Sequence, residues 1–254
     1  MTRFAPTKLV LVSPRHLAGS GLGSTNVDAL GPLIHLGWTT VEKLPQGRYI
    51  LLASPGGEIF VEFDPLRQDG LWWTISHHEP FWQAQFSRQT PIEAISALTQ
   101  ALPQMLGDDQ YADRIPVTDQ TTANAARAGG WSVRGTIQGA TWTSPDGHCT
   151  AEHTAGTEHV WYFKHSVLDG FDTHWNATFT LDTPERVTAQ FMAHLVDDRP
   201  VLRHFEDVPT LAHGAAVITP LSLGGLGGHT VHAVEQLGHS LTSAGRSPGA
   251  HRRR

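Results

Sequence analysis

The 254-residue chain contains one cysteine, Cys149, so it holds no internal disulfide and none of the Cys-rich zinc patterns. It has no basic excess: 18 Lys and Arg stand against 24 Asp and Glu, a formal net charge of −6. Duplex-DNA binders usually carry a strongly basic surface, so only local basic patches are left to meet phosphate here. No apolar run approaches the ~20 residues needed to cross a bilayer. Residues 1–12 hold one short apolar run, Leu9 to Val12, without a signal-peptide layout. Charged residues are only 17% of the chain, but 39% apolar content suffices for a core. These features predict a soluble cytoplasmic protein without a membrane partner.

Catalytic motifs are also scarce. No H-E-x-x-H occurs. The one literal G-x-S-x-G, Gly245 to Gly249, has no strand before it and falls in a Gly-, Ser- and Arg-rich tail. The loop Gly19-Ser20-Gly21-Leu22-Gly23 lacks both the P-loop lysine and the dinucleotide register. Sixteen histidines invite a metal reading, yet His77 and His78 are adjacent and would face opposite sides of a strand. Cys149 and His153 would share a strand face with His148 opposite, which reads first as surface strand residues. Glu58 and Glu62 read as solvating charges. The expectation is a non-enzymatic protein with no cofactor and no metal.

What the chain does have is a repeat. Gly37-Trp38 matches Gly130-Trp131, and Ser54-Pro55-Gly56-Gly57 matches Ser144-Pro145-Asp146-Gly147. Leu71-Trp72-Trp73 matches Val160-Trp161-Tyr162; Phe81-Trp82-Gln83-Ala84-Gln85-Phe86 matches His174-Trp175-Asn176-Ala177-Thr178-Phe179; Thr90-Pro91 matches Thr183-Pro184. The offsets, 93, 90, 89, 93 and 93, are nearly constant, with the drift falling between landmarks where loop insertions cost little. The Ser-Pro segments are turn chemistry between strand-like runs, so each reads as a hairpin. Further strands are predicted at Leu71 to Ser76 and Phe81 to Ser87, echoed at Val160 to His165 and Trp175 to Leu181.

The period then changes from 2 to 3.6. Thr90-Pro91-Ile92-Glu93 reads as a capping box opening a helix with Ile95, Leu98 and Leu102 on one stripe. In the second copy Thr183-Pro184 opens a helix carrying Val187, Phe191 and Leu195, and Arg186 stands where the box needs Glu. A shorter helix precedes each copy, around Val27 to Ile34, where Gly31-Pro32 interrupts it, and at Thr121 to Ala128. The predicted class is α+β: two tandem repeats, each an antiparallel β-sheet of four to five strands followed by one α-helix. The repeats span 8–106 and 119–198. A partly disordered extension, 199–254, contains a candidate helix at His229 to Leu237. A sheet with one helix leaves apolar surface uncovered, so the halves should associate in a pseudo-twofold arrangement or through a homo-oligomer.

The segment Val12-Ser13-Pro14-Arg15-His16-Leu17-Ala18-Gly19, the two Gly-Trp pairs, the hairpin turns and the strand–Thr-Pro–helix junctions together resemble the DUF317 family of Streptomyces and related actinobacteria, often carrying the domain in tandem. The resemblance covers about residues 8–200. It implies no activity and brings no catalytic residues. The succession of strands and one helix, twice over, is also similar in topology to PC4-like, Whirly and PUR-repeat proteins, which bind single-stranded nucleic acid; that likeness is one of fold alone.

Retention of Trp38, Trp72 and Trp82 as Trp131, Trp161 and Trp175 fits core anchors. Trp73 and its match Tyr162 would then lie on the opposite sheet face, as a base-stacking platform or as a second core surface between the copies. With Lys43, Arg48, Arg88, Arg134 and Lys164 beside the strands, Trp73 and Tyr162 form the candidate nucleic-acid surface, single-stranded DNA being favoured. The alternatives are a protein-interaction or assembly module and, third, an enzyme. The copies share their turns, tryptophans and helix starts, so function is expected in the residues that differ between them or in the groove between them.

Overall fold

A computed structural model describes residues 4–21, 25–43, 49–110, 115–136, 139–157, 159–168 and 174–221. The first repeat runs α1 (Thr25–His35), β2 (Thr39–Lys43), β3 (Ile50–Ala53), β4 (Ile59–Phe63), β5 (Trp73–His78), β6 (Phe81–Phe86) and α2 (Ile92–Met105), after an initial strand β1 (Leu9–Ser13). The second runs α3 (Thr122–Ala128), β7 (Ser132–Thr136), β8 (Gly139–Thr143), β9 (Cys149–Thr154), β10 (His159–His165), β11 (Trp175–Thr180) and α4 (Glu185–Leu195). Each repeat is thus five antiparallel strands and a helix, with a short helix in front.

The two sheets are one. Strand order is β2-β3-β4-β5-β6-β11-β10-β9-β8-β7, and β6 pairs with β11 at the centre. The register there is symmetric: Gln85 faces Thr178, while Phe86 faces Ala177 and Ala84 faces Phe179. Two equivalent hydrogen bonds flank it, from Asn176 N–H to Ser87 Oγ (2.8 Å) and from Gln83 N–H to Thr180 Oγ1 (2.7 Å). A pseudo-twofold axis passes through this pair, so the association expected between halves occurs within one chain. The helices lie in the order α1-α2-α4-α3, and the packed side chains form one core with the sheet. Phe86, Phe163, Phe179 and Phe191 meet with ring centroids 5.1–5.7 Å apart at the joint between halves. Burying rings of this size contributes about 2–3 kcal/mol each.

Local chemistry accounts for the elements and corrects some expectations. The hairpins form as read: Ser54 Oγ accepts from the N–H groups of Glu58 and Ile59, and Ser144 Oγ accepts from Cys149 N–H. Pro32 does not break α1 but sits inside it. The Asp28 carbonyl one turn back, which proline cannot serve, accepts from Gln100 Nε2 of α2 at 2.9 Å instead. The capping boxes are absent: Pro91 and Pro184 are the cap residues and neither cap carries a side-chain hydrogen bond. Thr90 Oγ1 donates to the Asn176 carbonyl, tying the helix start to the central strands. Glu93, free of the box, pairs elsewhere.

Residues 1–219 form one unit by their contacts; the second, 220–254, is described only to Leu221, so the candidate helix His229–Leu237 lies outside the described residues. Strands β12 (Val201–His204) and β13 (Val217–Pro220) sandwich β1 in a separate three-stranded sheet, order β12-β1-β13. Val10, Val12, Ala18, Val201 and Val208 make its own small core. β1 therefore pairs with strands that follow the second repeat, not with the sheet of the first.

Candidate functional site

The helices cover one face of the ten-stranded sheet and leave the other open. Paired registers define a row across that open face: Leu51, Glu62, Thr74, Gln85, Thr178, Tyr162, Glu152, Thr141, Arg134. It is rich in hydroxyls, and its charges are two acids, Glu62 and Glu152, and one base, Arg134. Tyr162 is half-buried beside Glu152; burial and that carboxylate push its phenol above the ordinary value. Lys164 lies two residues along on the same face, and Arg134 is exposed on the edge strand β7.

The other expected contacts lie elsewhere. Trp73 is not on the open face: it is 2% exposed, packed on Phe63 in the core. The partly buried ring is Trp72, with the Arg88 guanidinium 5.0 Å above it. The cause is a one-residue difference in register. Trp73 and Trp161 occupy equivalent places, each opposite a paired phenylalanine, Phe86 and Phe179. They are 88 residues apart rather than 89, and a slip of one reverses every side chain. Tyr162 is consequently the counterpart of Thr74. Lys43 is on β2, the opposite sheet edge from Arg134, nine strand spacings or about 43 Å away. Arg48 lies outside the described residues.

A second constellation forms where the segment after β1 enters the second half. Pro14 to Ala18, with a short 3₁₀ turn at Arg15–Leu17, lies against β10, β11 and the end of α4. The Trp175 indole N–H donates to the His16 carbonyl (2.9 Å). His16 Nε2 donates to Asp146 Oδ2 at 2.8 Å, and Asp146 Oδ1 accepts from Ser144 Oγ at 2.6 Å. Burial alone would raise the Asp146 carboxyl; His16, Ser144 and the His148 N–H outweigh it and hold the group well below the usual carboxylate range. Arg15, 5% exposed, donates to the His194 carbonyl and pairs with Asp197 at 3.1 Å. From β12, Arg203 forms two 2.7 Å bonds to Glu93 and also donates to the carbonyls of Ala18 and Gly19. Three acids thus hold two arginines and a histidine, and the segment acts as a clip.

Under the clip lies His165, 1% exposed, stacked on Trp175 with ring centroids 5.8 Å apart. Neither of its ring nitrogens has a hydrogen-bond partner among the described residues. Burial, with the nearby His16 and His174, pushes its pKa down to about 3, so it is neutral. Cys149 is fully buried and its thiol is raised by burial, which leaves it a core residue and no nucleophile. His153 packs on Trp161 instead of joining Cys149. Among the described residues no group of three or more His, Cys, Asp or Glu side chains is arranged to hold a metal ion.

In the sequence alone, Arg15 and His16 stand out only as part of the segment that resembles the family. Their signal was that two charged residues sit in a segment with no counterpart in the other copy. Residues 53–104 and 143–201 match the family described as SPDY, Domain of unknown function (DUF317). Each half thus holds one stretch that matches this domain model. The matched stretches hold the hairpins, the central strands and the helices α2 and α4; the clip precedes the first. Neither a curated protein nor a solved structure matches the chain. No described helix is long and apolar enough to cross a membrane.

Proposed function

We propose that this tandem DUF317 chain is a protein-interaction module that binds peptide segments, and that it works by holding rather than by bond-making. One observation carries the reading. The second half has a socket between its hairpin turn, its paired tryptophan and two helix ends, and that socket is filled by a short segment with one 3₁₀ turn, held through its backbone and its polar side chains. The first half has a cavity of about 220 Å³ in the equivalent place, lined in part by Trp82, His77 and the ends of α2 and α4. The chain's own clip illustrates the binding mode: a carbonyl received by an indole N–H, with charged side chains sorted by sign.

Titration of the full chain with short peptides built on Ser-Pro-x-x-Leu-Ala-Gly, followed by the indole N–H resonances, tests this. A peptide-binding module shows a saturable shift of the Trp82 resonance, assigned with Trp82→Phe. No shift with any such peptide at millimolar concentration removes the proposal.

A second reading, single-stranded nucleic acid on the open sheet face, is favoured by Tyr162 and Lys164 side by side with Arg134 three strands away in the row. Glu62 and Glu152 in the same row oppose phosphate. Fluorescence anisotropy with a labelled single strand at low salt decides it; absence of binding at tens of micromolar protein ends that reading.

A further inference from the structure

We infer that the open socket of the first half takes an acidic peptide segment from a partner protein, an inference that rests on the peptide-binding reading above. The pseudo-twofold axis relates the two sockets residue by residue. Trp82 corresponds to Trp175, and His77 to His165; each histidine stacks on its tryptophan, with centroids 6.0 and 5.8 Å apart. The end of α2 at Leu102 to Leu106 corresponds to the end of α4, and the first turn of α4 at Pro184 to Val187 corresponds to that of α2. In the second half the clip reduces His165 to 1% exposure, whereas His77 remains partly exposed. The Trp175 indole has the His16 carbonyl; the Trp82 indole forms no hydrogen bond among the described residues.

The charges are not copied. Each of the three acids at the second socket has a non-acidic counterpart in sequence: Asp146, which holds His16, corresponds to Gly56; Asp197, which holds Arg15, to Gln104; and Glu93, which holds Arg203 of β12, to Arg186. The last exchange reverses sign. Arg186 is exposed at the socket rim and donates to the Met105 carbonyl at 2.9 Å, with no carboxylate partner among the described residues. The chain's own clip, carrying Arg15 and His16, therefore meets none of these three acids there and one cation, and the carboxylate beside Gly56 is that of Glu58. A segment with Asp or Glu within reach of Arg186, which lines the cavity, meets a guanidinium suited to a carboxylate, and the Trp82 indole N–H suits its backbone. The cavity, about 220 Å³, matches the volume of about seven waters, room for the side chains of a short segment rather than a folded domain.

The test uses the full chain and three acetylated, amidated heptapeptides: Ser-Pro-Glu-Asp-Leu-Ala-Gly, its Gln-Asn analogue, and Ser-Pro-Arg-His-Leu-Ala-Gly. Titration is followed by the Trp82 indole resonance. The acidic peptide should bind about fivefold more tightly than the basic one, the exposed rim and the neighbouring Glu79 limiting the effect, and the preference should shrink with salt. Arg186→Gln should bring the peptides to parity and Arg186→Glu should reverse their order, with circular dichroism confirming the fold of both variants. Equal affinity of the acidic and basic peptides for the unaltered chain, or preference for the basic one, overturns the acidic assignment while leaving peptide binding intact. No Trp82 shift with any of the three overturns both.

Discussion

Replacing His165 with phenylalanine should flatten the acid limb of the protein's stability. The imidazole is 1% exposed, with both nitrogens unpartnered, and its pKa lies at about 3 against an ordinary value near 6.5. The unfolded chain therefore takes up this proton first. Stability is undiminished above pH 6.5 and falls as pH drops toward 3, because protons bind the unfolded state preferentially. At pH 5 the unfolded ring has gained 1.5 pH units of protonation free energy and the folded ring almost none, about 2 kcal/mol in favour of unfolding. His165→Phe keeps an aromatic ring against Trp175 and removes this term along with two buried, unpaired nitrogens. Asp146 acts at lower pH: its depressed carboxyl adds stability above the ordinary carboxylate range, lost below it. Urea midpoints at pH 7.5 and pH 5 give the comparison, at constant denaturant slope. The native protein should lose about 2 kcal/mol more than the variant between the two pH values. Equal losses would show that His165 is already protonated in the fold, or that the clip does not exclude water.

Other changes probe the register and the clip. Trp73→Ala should destabilise the fold by about 3–5 kcal/mol and Tyr162→Ala by less than about 1 kcal/mol, the reverse of what an open-face position for Trp73 requires; thermal melts compare them. Arg203→Met strands Glu93 and should cost about 2–3 kcal/mol, Glu93 being 27% exposed, and adding Glu93→Leu should restore part of it in a double-mutant cycle. Gly19→Ala should destabilise the fold by about 1–3 kcal/mol, read from the urea midpoint, because φ is +68° and the added methyl would meet Pro209 Cδ at 2.8 Å.

The hairpin turns, the five-strand repeats and the helix stripes were legible because each is a local signal with a fixed period. Trp73 was misplaced because the alternation rule needs a register, and two adjacent tryptophans offer two registers with equal apolar content. Only pairing with Phe86 decides between them, and that partner is supplied by the neighbouring strand. Thr90 and Glu93 met every condition of a capping box, yet each found a better partner far along the chain, the Asn176 carbonyl and Arg203. Local patterns state what a residue can do in isolation, and tertiary contacts then choose. The clip was illegible for the same reason. Arg15 and His16 became buried only once β1 paired with β12, about 190 residues further along the chain.

The differences between the copies acquire a physical meaning from this. In sequence, Asp146 against Gly56 was a turn variant and Arg186 against Glu93 an incomplete cap. Folded, both positions lie at the sockets, and each decides the sign of what can lie there. A duplicated scaffold whose backbone, tryptophans and stacked histidines are retained, but whose socket charges are exchanged, cannot accept the same segment twice. Unpaired acids facing a basic segment attract it, and a guanidinium repels it by a comparable amount. The first half keeps an indole donor, an exposed arginine and a cavity that the described chain does not fill.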